Sequence, residues 1–316
     1  MGASPSKKFS IENIPNLSQK VIVVTGGNTG IGLAISKGFA SKSPEKLIIA
    51  GRNQSKVDDA VAVLKKEFPN SNAVGLIVDL SSFSSIEAFG DNLANIVDRV
   101  DILVNNAGIF LTPFSKTQEG FEITLGTNAI GTAYLTNQTL PLILRSTAPR
   151  VVFLSSNAVS YVTPTIFSKY IPDIGGEKLS ETTLEIYSVS KFYNTAYAYA
   201  LQKKYPKLIV TSAHPGFIKS DIQSKTNKDL FLARLVGNYL APALAKPVEY
   251  GALSSLYCAT APVFETNPEL HGQFFDEGPY GKLFRSLAVF TPANSSRVFQ
   301  AIEDAIKSKS SRYNQL

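Results

Sequence analysis

Lys20-Val-Ile-Val-Val-Thr25-Gly26-Gly27-Asn28-Thr29-Gly30-Ile31-Gly32 joins an apolar run to a glycine loop and leads directly into a helix-like stretch over 33–40. The run reads as a buried strand, since it is short, uninterrupted and rich in β-branched residues. Glycines without a Cβ let the backbone turn sharply and come close to a bound group, while free N–H groups and the dipole at a helix start favour negative charge. The spacing is Gly-x-x-x-Gly-x-Gly, which makes Gly26, Asn28, Thr29, Gly30, Ile31 and Gly32 candidate contacts for a dinucleotide pyrophosphate. Taken alone, the loop could equally be a tight strand-to-helix turn.

Strand-like character returns at 46–50, 74–78, 101–105, 151–155 and 208–212, and a last short run at 272–275 adds a seventh strand. Helix-length segments separate these runs. The alternation predicts an α/β fold, a doubly wound parallel sheet of about seven strands of Rossmann type. It is expected to form a single domain over 19–305, between a polar amino-terminal tail (1–18) and a polar carboxyl-terminal tail (306–316). The stretch 157–181 carries Pro, Gly and Ser and reads as loop.

Composition narrows the chemistry. Cys258 is the single cysteine and cannot form an internal disulfide, and His214 and His271 give no metal-ligand spacing, so a reducing compartment and metal-free chemistry are expected. The formal net charge of +6 is concentrated partly near the termini, and attraction to small anionic ligands accounts for it without nucleic acid. No apolar run approaches the roughly 18 to 20 residues that cross a bilayer. A cytoplasmic location is expected, with a membrane-associated fraction if the features discussed below are used.

Where the second strand ends, the chain reads Ala50-Gly51-Arg52-Asn53. An acidic side chain there would accept from a ribose 2′-hydroxyl and repel a 2′-phosphate; a guanidinium instead grips phosphate through parallel hydrogen bonds. Arg52 and Asn53 therefore point to NADP(H), against the simpler reading of a solvated arginine at a strand end. Asp79, followed by Leu80 at the end of the third strand, could accept from an adenine amino group or cap the next helix.

Tyr187-Ser-Val-Ser-Lys191 opens a helix-like stretch to about 204, and the four-residue spacing places the phenol and the ammonium on one face. A free tyrosine has a pKa of about 10. A neighbouring cation is expected to favour phenolate and bring it toward a useful acid–base range.

Read in order, the glycine loop, Asn105-Asn106-Ala107-Gly108, Asn128, Ser155-Ser156, Tyr187 with Lys191, and Pro215-Gly216 resemble the short-chain dehydrogenase/reductase family over about 20–275. The resemblance implies that Ser156 hydrogen-bonds a substrate oxygen, that Tyr187 exchanges a proton with it, and that Lys191 also binds the nicotinamide ribose. Asn128 would hold a water relay behind Lys191. Adjacent strand residues face opposite ways, and the resemblance implies that the reactive serine is the second of the pair, Ser156, with Ser155 as the alternative. Asn105 is expected to brace neighbouring strands. Ala107, Gly108, Pro215, Gly216, Ile218 and Ser220 would line the cofactor, Ser220 standing where the family commonly has threonine.

Within the family, the long segment between Ser156 and Tyr187 and the Ala50–Asn53 sequence look like the retinol-dehydrogenase and protochlorophyllide-reductase-like branch. An apolar helical face at Leu230, Phe231, Leu232, Leu235, Val236, Tyr239 and Leu240 falls in 222–248, where the family places its substrate lid. A lid of that character suits a hydrophobic ketone or aldehyde, though core burial or a membrane surface would give the same stripe. Met1-Gly2-Ala-Ser-Pro-Ser6 followed by Lys7 and Lys8 fits an N-myristoylation pattern at Gly2. The expected partner is thus a small carbonyl or alcohol, with no nucleic acid. The alternatives are a cofactor-sensing regulatory protein on the same fold and an NAD-dependent alcohol dehydrogenase; oligomeric state is left open.

Overall fold

In the computed structural model the structure describes residues 9–218, 246–276, 282–283 and 289–313. Strands β1 (Val21–Thr25), β2 (Lys46–Gly51), β3 (Ala73–Ile77), β4 (Ile102–Asn105), β5 (Arg150–Leu154), β6 (Ile209–Ala213) and β7 (Phe274–Asp276) are parallel, and a two-residue β8 (Lys282–Leu283) pairs antiparallel with β7. Their spatial order is 3-2-1-4-5-6-7-8. Val24 is paired with Ile49 on one side and Val104 on the other. The order therefore reverses at β1, and the crevice beyond its carboxyl end is the switch point at which such sheets bind ligands.

Strand alternation divides β1 between two cores. Val21 and Val23 join the layer containing Ile48, Leu103, Val151 and Phe153, whereas Ile22 and Val24 join the layer containing Leu47, Ile49, Ile102 and Val152. Helices α1 (Gly30–Ala40) and α7 (Val248–Thr260) cover the second layer; α3 (Phe83–Ala94), α4 (Thr132–Ile143), α6 (Leu184–Lys204) and α8 (Pro292–Lys309) cover the first. Between β2 and β3 runs α2 (Gln54–Glu67). A π-helical turn, Gly126–Gly131, leads into α4.

The expected loop over 157–181 is largely helical: a 3₁₀ turn at Asn157–Tyr161, helix α5 (Pro164–Tyr170) and a further 3₁₀ turn at Ile171–Asp173. Proline here starts a helix. Thr163 caps it by accepting from the Ile166 N–H, and Pro164 occupies the first helical position, where no N–H is needed. Phe167 then packs edge-on against Phe192 of α6, with ring centroids 5.8 Å apart.

The ends are also less tail-like than their composition suggests. Phe9, Ile14 and Leu17 are buried, and α8 runs past the expected domain limit at 305 to bury Ile306. Beyond it, Arg312 pairs with Asp91 through contacts of 2.7 and 2.9 Å. Gly2, Ser220 and nearly all of the expected lid lie outside the described residues. No described helix is long and apolar enough to cross a membrane, and no described cluster of residues could hold a metal ion.

Candidate functional site

The site is built at the carboxyl ends of β1, β4, β5 and β6. After β1 the chain turns through Gly26 at φ +63° and Gly30 at φ +52°, a region that side-chain-bearing residues rarely enter. Gly32 is required for space, because a Cβ there would stand 2.0 Å from the Gly26 carbonyl oxygen. Thr25 Oγ1 accepts from the N–H groups of Asn106 (3.1 Å) and Ala107 (3.0 Å), and Asn106 Nδ2 donates to the Thr25 carbonyl at 2.8 Å. This clip joins the glycine loop to the end of β4. Asn28 lies over the end of β2, where a Cβ on Gly51 would come within 2.5 Å of its Oδ1. The backbone cradle that results, with Thr29 and Ile31 at the start of α1, has the shape and dipole a pyrophosphate needs.

Arg52 is exposed and makes no hydrogen bond or ion pair among the described residues. It borders a cleft of about 310 Å³ lined also by Ile109, Thr112, Phe114, Ile123 and Thr127. The hydroxyls of Thr112 and Thr127 are buried behind its wall without a protein partner. Asn53 is committed elsewhere, capping α2 by accepting from the Lys56 N–H at 3.0 Å. Asp79 Oδ1 likewise accepts from the N–H (2.9 Å) and hydroxyl (2.7 Å) of Ser81 in the turn before α3, whose cap is Ser82 and not Asp79. Leu80 is buried, its carbonyl lying 2.0 Å from where a Cβ on Gly131 would be.

At the other end Thr183 caps α6, accepting from the Ile186 N–H at 3.2 Å, and Tyr187 and Lys191 follow one turn apart on that helix. The Ser156 hydroxyl lies beside the Tyr187 phenol and accepts from the Ala158 N–H at 3.2 Å. Ser155 faces the other way, its Oγ donating to the Lys191 carbonyl at 2.9 Å and lying 2.8 Å from Thr195 Oγ1. The structure thus places Ser156, and not Ser155, beside the tyrosine. Lys191 Nζ donates to the Leu154 carbonyl at 3.0 Å and stands 5.9 Å from the Tyr187 ring centroid. A Cβ on Gly108 would come within 3.1 Å of Asn128 Oδ1 and 3.4 Å of Lys191 Nζ, so the backbone after β4 passes close to both.

Asn128 sits on the π-helical turn, an irregularity frequent at functional sites. Its Oδ1 accepts from the Ile109 N–H at 2.8 Å, and its Nδ2 donates to the Ile109 carbonyl (2.9 Å) and to Ser190 Oγ (3.2 Å). Both amide hydrogens are engaged, so the side chain fastens the β4 loop to α6. Asn105 also departs from expectation. Its Nδ2 donates to Thr136 Oγ1 on α4 at 2.9 Å, which braces strand to helix and not strand to strand.

The expected effect of Lys191 on Tyr187 is not what the site produces. Burial pushes the Tyr187 phenol up to about 12, with the nearby Ser156 hydroxyl acting in the opposite direction. Burial pushes Lys191 down to about 8. Desolvation disfavours both charged forms.

Pro215 and Gly216 follow β6, Gly216 at φ +88°, and Ile218 is buried against α7, where a Cβ on Gly251 would meet its Cγ1 at 2.7 Å. Several participants carry no sequence signal of their own. Phe110 meets the Tyr187 ring edge-on at 4.6 Å, from a loop in which Leu111 adopts φ +46°. Thr25 and Asn106 could be singled out only by standing where strands end.

The short chain dehydrogenase family profile matches residues 20–170. A short-chain dehydrogenase/reductase of Armillaria gallica is 31% identical over 277 residues, covering 85% of each chain. Retinol dehydrogenase 12 of Homo sapiens is 32% identical over 263 residues, 83% of this chain and 78% of that one. Among solved structures, a protein from Mycobacterium paratuberculosis superposes with a TM-score of 0.72 at 24% identity, over 95% and 98% of the two chains. A short chain dehydrogenase from Escherichia coli CFT073 complexed with NADPH gives 0.62 at 20% identity, over 84% and 98%. Fold, motif order and sequence agree: the chain belongs to the short-chain dehydrogenase/reductase family of oxidoreductases. Within it, the chain lies in the retinol-dehydrogenase-like branch.

Proposed function

We propose that the chain is an NADPH-dependent reductase, reversibly a dehydrogenase, that interconverts a hydrophobic ketone or aldehyde and its alcohol. The observation that carries this reading is the Ser156 hydroxyl beside the Tyr187 phenol, one turn of α6 from Lys191, with Gly108 at the β4 end close to Lys191 Nζ and the glycine loop clipped to that same end by Thr25. The cradle suits a pyrophosphate because the tight turn, which a Cβ at Gly32 would break by meeting the Gly26 carbonyl, brings the backbone to the start of α1. Unpaired Arg52 suits a 2′-phosphate, and the neighbour complexed with NADPH is consistent with that choice. NADPH, when bound, supplies a hydride.

Ser156 and Tyr187 would together hold the substrate oxygen, and Tyr187 would give that oxygen its phenolic proton as negative charge develops there. A phenol held near 12 keeps its proton at neutral pH until it meets a stronger base. Lys191, buried beneath, would face the resulting phenolate and hold the nicotinamide ribose. Asn128 keeps the β4 loop and α6 in register, and what it leaves for a water relay is a second lone pair on Oδ1.

Phe114, 39% exposed, lines the cleft beside Arg52, and Tyr161, Phe217 and Leu184 are exposed on the segments that follow β5 and β6 or precede Tyr187. Exposed apolar groups on the segments that build the site favour an apolar ligand.

A panel of hydrophobic aldehydes and ketones assayed with NADPH and NADH tests the proposal. Turnover should be faster with NADPH, and Arg52→Ala should raise the KM for NADPH about tenfold or more while leaving that for NADH nearly unchanged. Better use of NADH by the wild type would overturn the cofactor assignment.

A further inference from the structure

Glu122 is fully buried, and no ion pair among the described residues reaches it. Its carboxyl group is satisfied by three donors: the N–H groups of Thr124 and Leu125 on Oε2, each at 2.8 Å, and Thr182 Oγ1 on Oε1, also at 2.8 Å. The first two cap the helical turn Ile123–Leu125, which runs without a break into the π-helical turn carrying Asn128. The third comes from the residue just before Thr183, the cap of α6. One carboxyl group therefore touches the starts of two elements, one bearing Asn128 and the other bearing Tyr187 and Lys191.

The packing around this contact leaves little slack. Glu122 N–H donates to the Gly175 carbonyl at 2.8 Å, a Cβ on Gly175 would lie 2.2 Å from the Phe121 ring, and one on Gly176, already at φ +63°, would lie 3.0 Å from Glu122 Cβ. A buried carboxyl group is expensive to maintain unless its geometry is used, because each lost donor leaves an unsatisfied polar atom. Capping of the first turn alone would need only Oε2.

We infer that Glu122 and Thr182 form a strut that sets the position of the Asn128 turn against the start of α6, making them positioning residues for Tyr187. The inference rests on the reading of Tyr187 as proton donor for its catalytic consequence, while the mechanical link stands on the geometry alone. Thr182 is the better place to cut, since Thr182→Val removes the hydroxyl with little change of shape and leaves both helix caps intact. Thr182→Ser keeps the hydroxyl.

Two readouts decide it. In NADPH-dependent carbonyl reduction, Thr182→Val should lower kcat about tenfold with KM for the carbonyl within about twofold, and Thr182→Ser should restore kcat. In hydrogen–deuterium exchange, Thr182→Val should raise exchange at 123–131 and at 184–191 together, with β4 unchanged. Wild-type kcat in Thr182→Val, or exchange that rises on one side only, would overturn the strut. If the wild-type chain reduces no carbonyl, the functional proposal fails while the exchange measurement still decides whether the two elements are coupled.

Discussion

Burial moves Tyr187 and Lys191 in opposite directions, and the consequence for Lys191 can be measured as stability. Its ammonium loses a proton near pH 8 in the folded chain, against an ordinary value of 10.5 that applies when unfolded. Between those values the unfolded chain binds the extra proton, so Lys191 makes stability rise with pH from about 8 to 10.5, and its full penalty applies below 8. Lys191→Met should therefore stabilise the protein at pH 7 by roughly 1–3 kcal/mol, less what the orphaned Leu154 carbonyl takes back, and abolish turnover. The gain should shrink as pH approaches 10.5; thermal melts from pH 7 to 10 check it, and an equal effect at every pH would contradict it. The glycine loop offers a sharper contrast. Gly32→Ala meets the Gly26 carbonyl and should eliminate NADPH binding, whereas Gly30→Ala meets nothing within 4 Å and should cost only about 1–2 kcal/mol for its left-handed φ.

Elements differ in how much of them the sequence discloses. β1, its loop and α1 were legible because an unbroken β-branched run, four glycines and a helix start follow one another within one short stretch. Tyr187 and Lys191 were legible through helical spacing. The π-helical turn was not, since its cause is the packing of Gly131 against the Leu80 carbonyl and of Gly126 against Thr117, contacts between distant segments. Helix α5 is hidden because the Pro, Gly and Ser of 157–181 read as loop, whereas Thr163-Pro164 is an N-cap followed by a first-turn proline. Thr163→Ala should accordingly lower stability by about 1 kcal/mol in urea denaturation. No change would mean that 164–170 contributes little as a helix. The opposing roles of Ser155 and Ser156 followed from strand alternation, but the burial that dominates the tyrosine's acidity is a tertiary property no spacing records.

Across the whole molecule, function depends on both layers holding the sheet while the last helix braces α6. Tyr197 of α6 donates to Glu303 of α8 at 2.9 Å, Tyr313 donates to the same carboxylate, and Tyr197 stacks on Phe299 with centroids 4.9 Å apart. Truncation after Ala305 would remove Ile306, the Tyr313 contact and the Arg312–Asp91 pair, and should lower the melting temperature by roughly 5 °C or more; an unchanged melt would show the segment to be dispensable. The account as a whole rests on strands β1, β4 and β5 and helix α6 delivering a glycine cradle and a phenol to one crevice. Single-turnover reduction of a hydrophobic ketone by NADPH, compared between wild type and Tyr187→Phe, tests this most directly. The rate constant should fall about 100-fold or more with NADPH affinity nearly unchanged; reduction by Tyr187→Phe at the wild-type rate would contradict it.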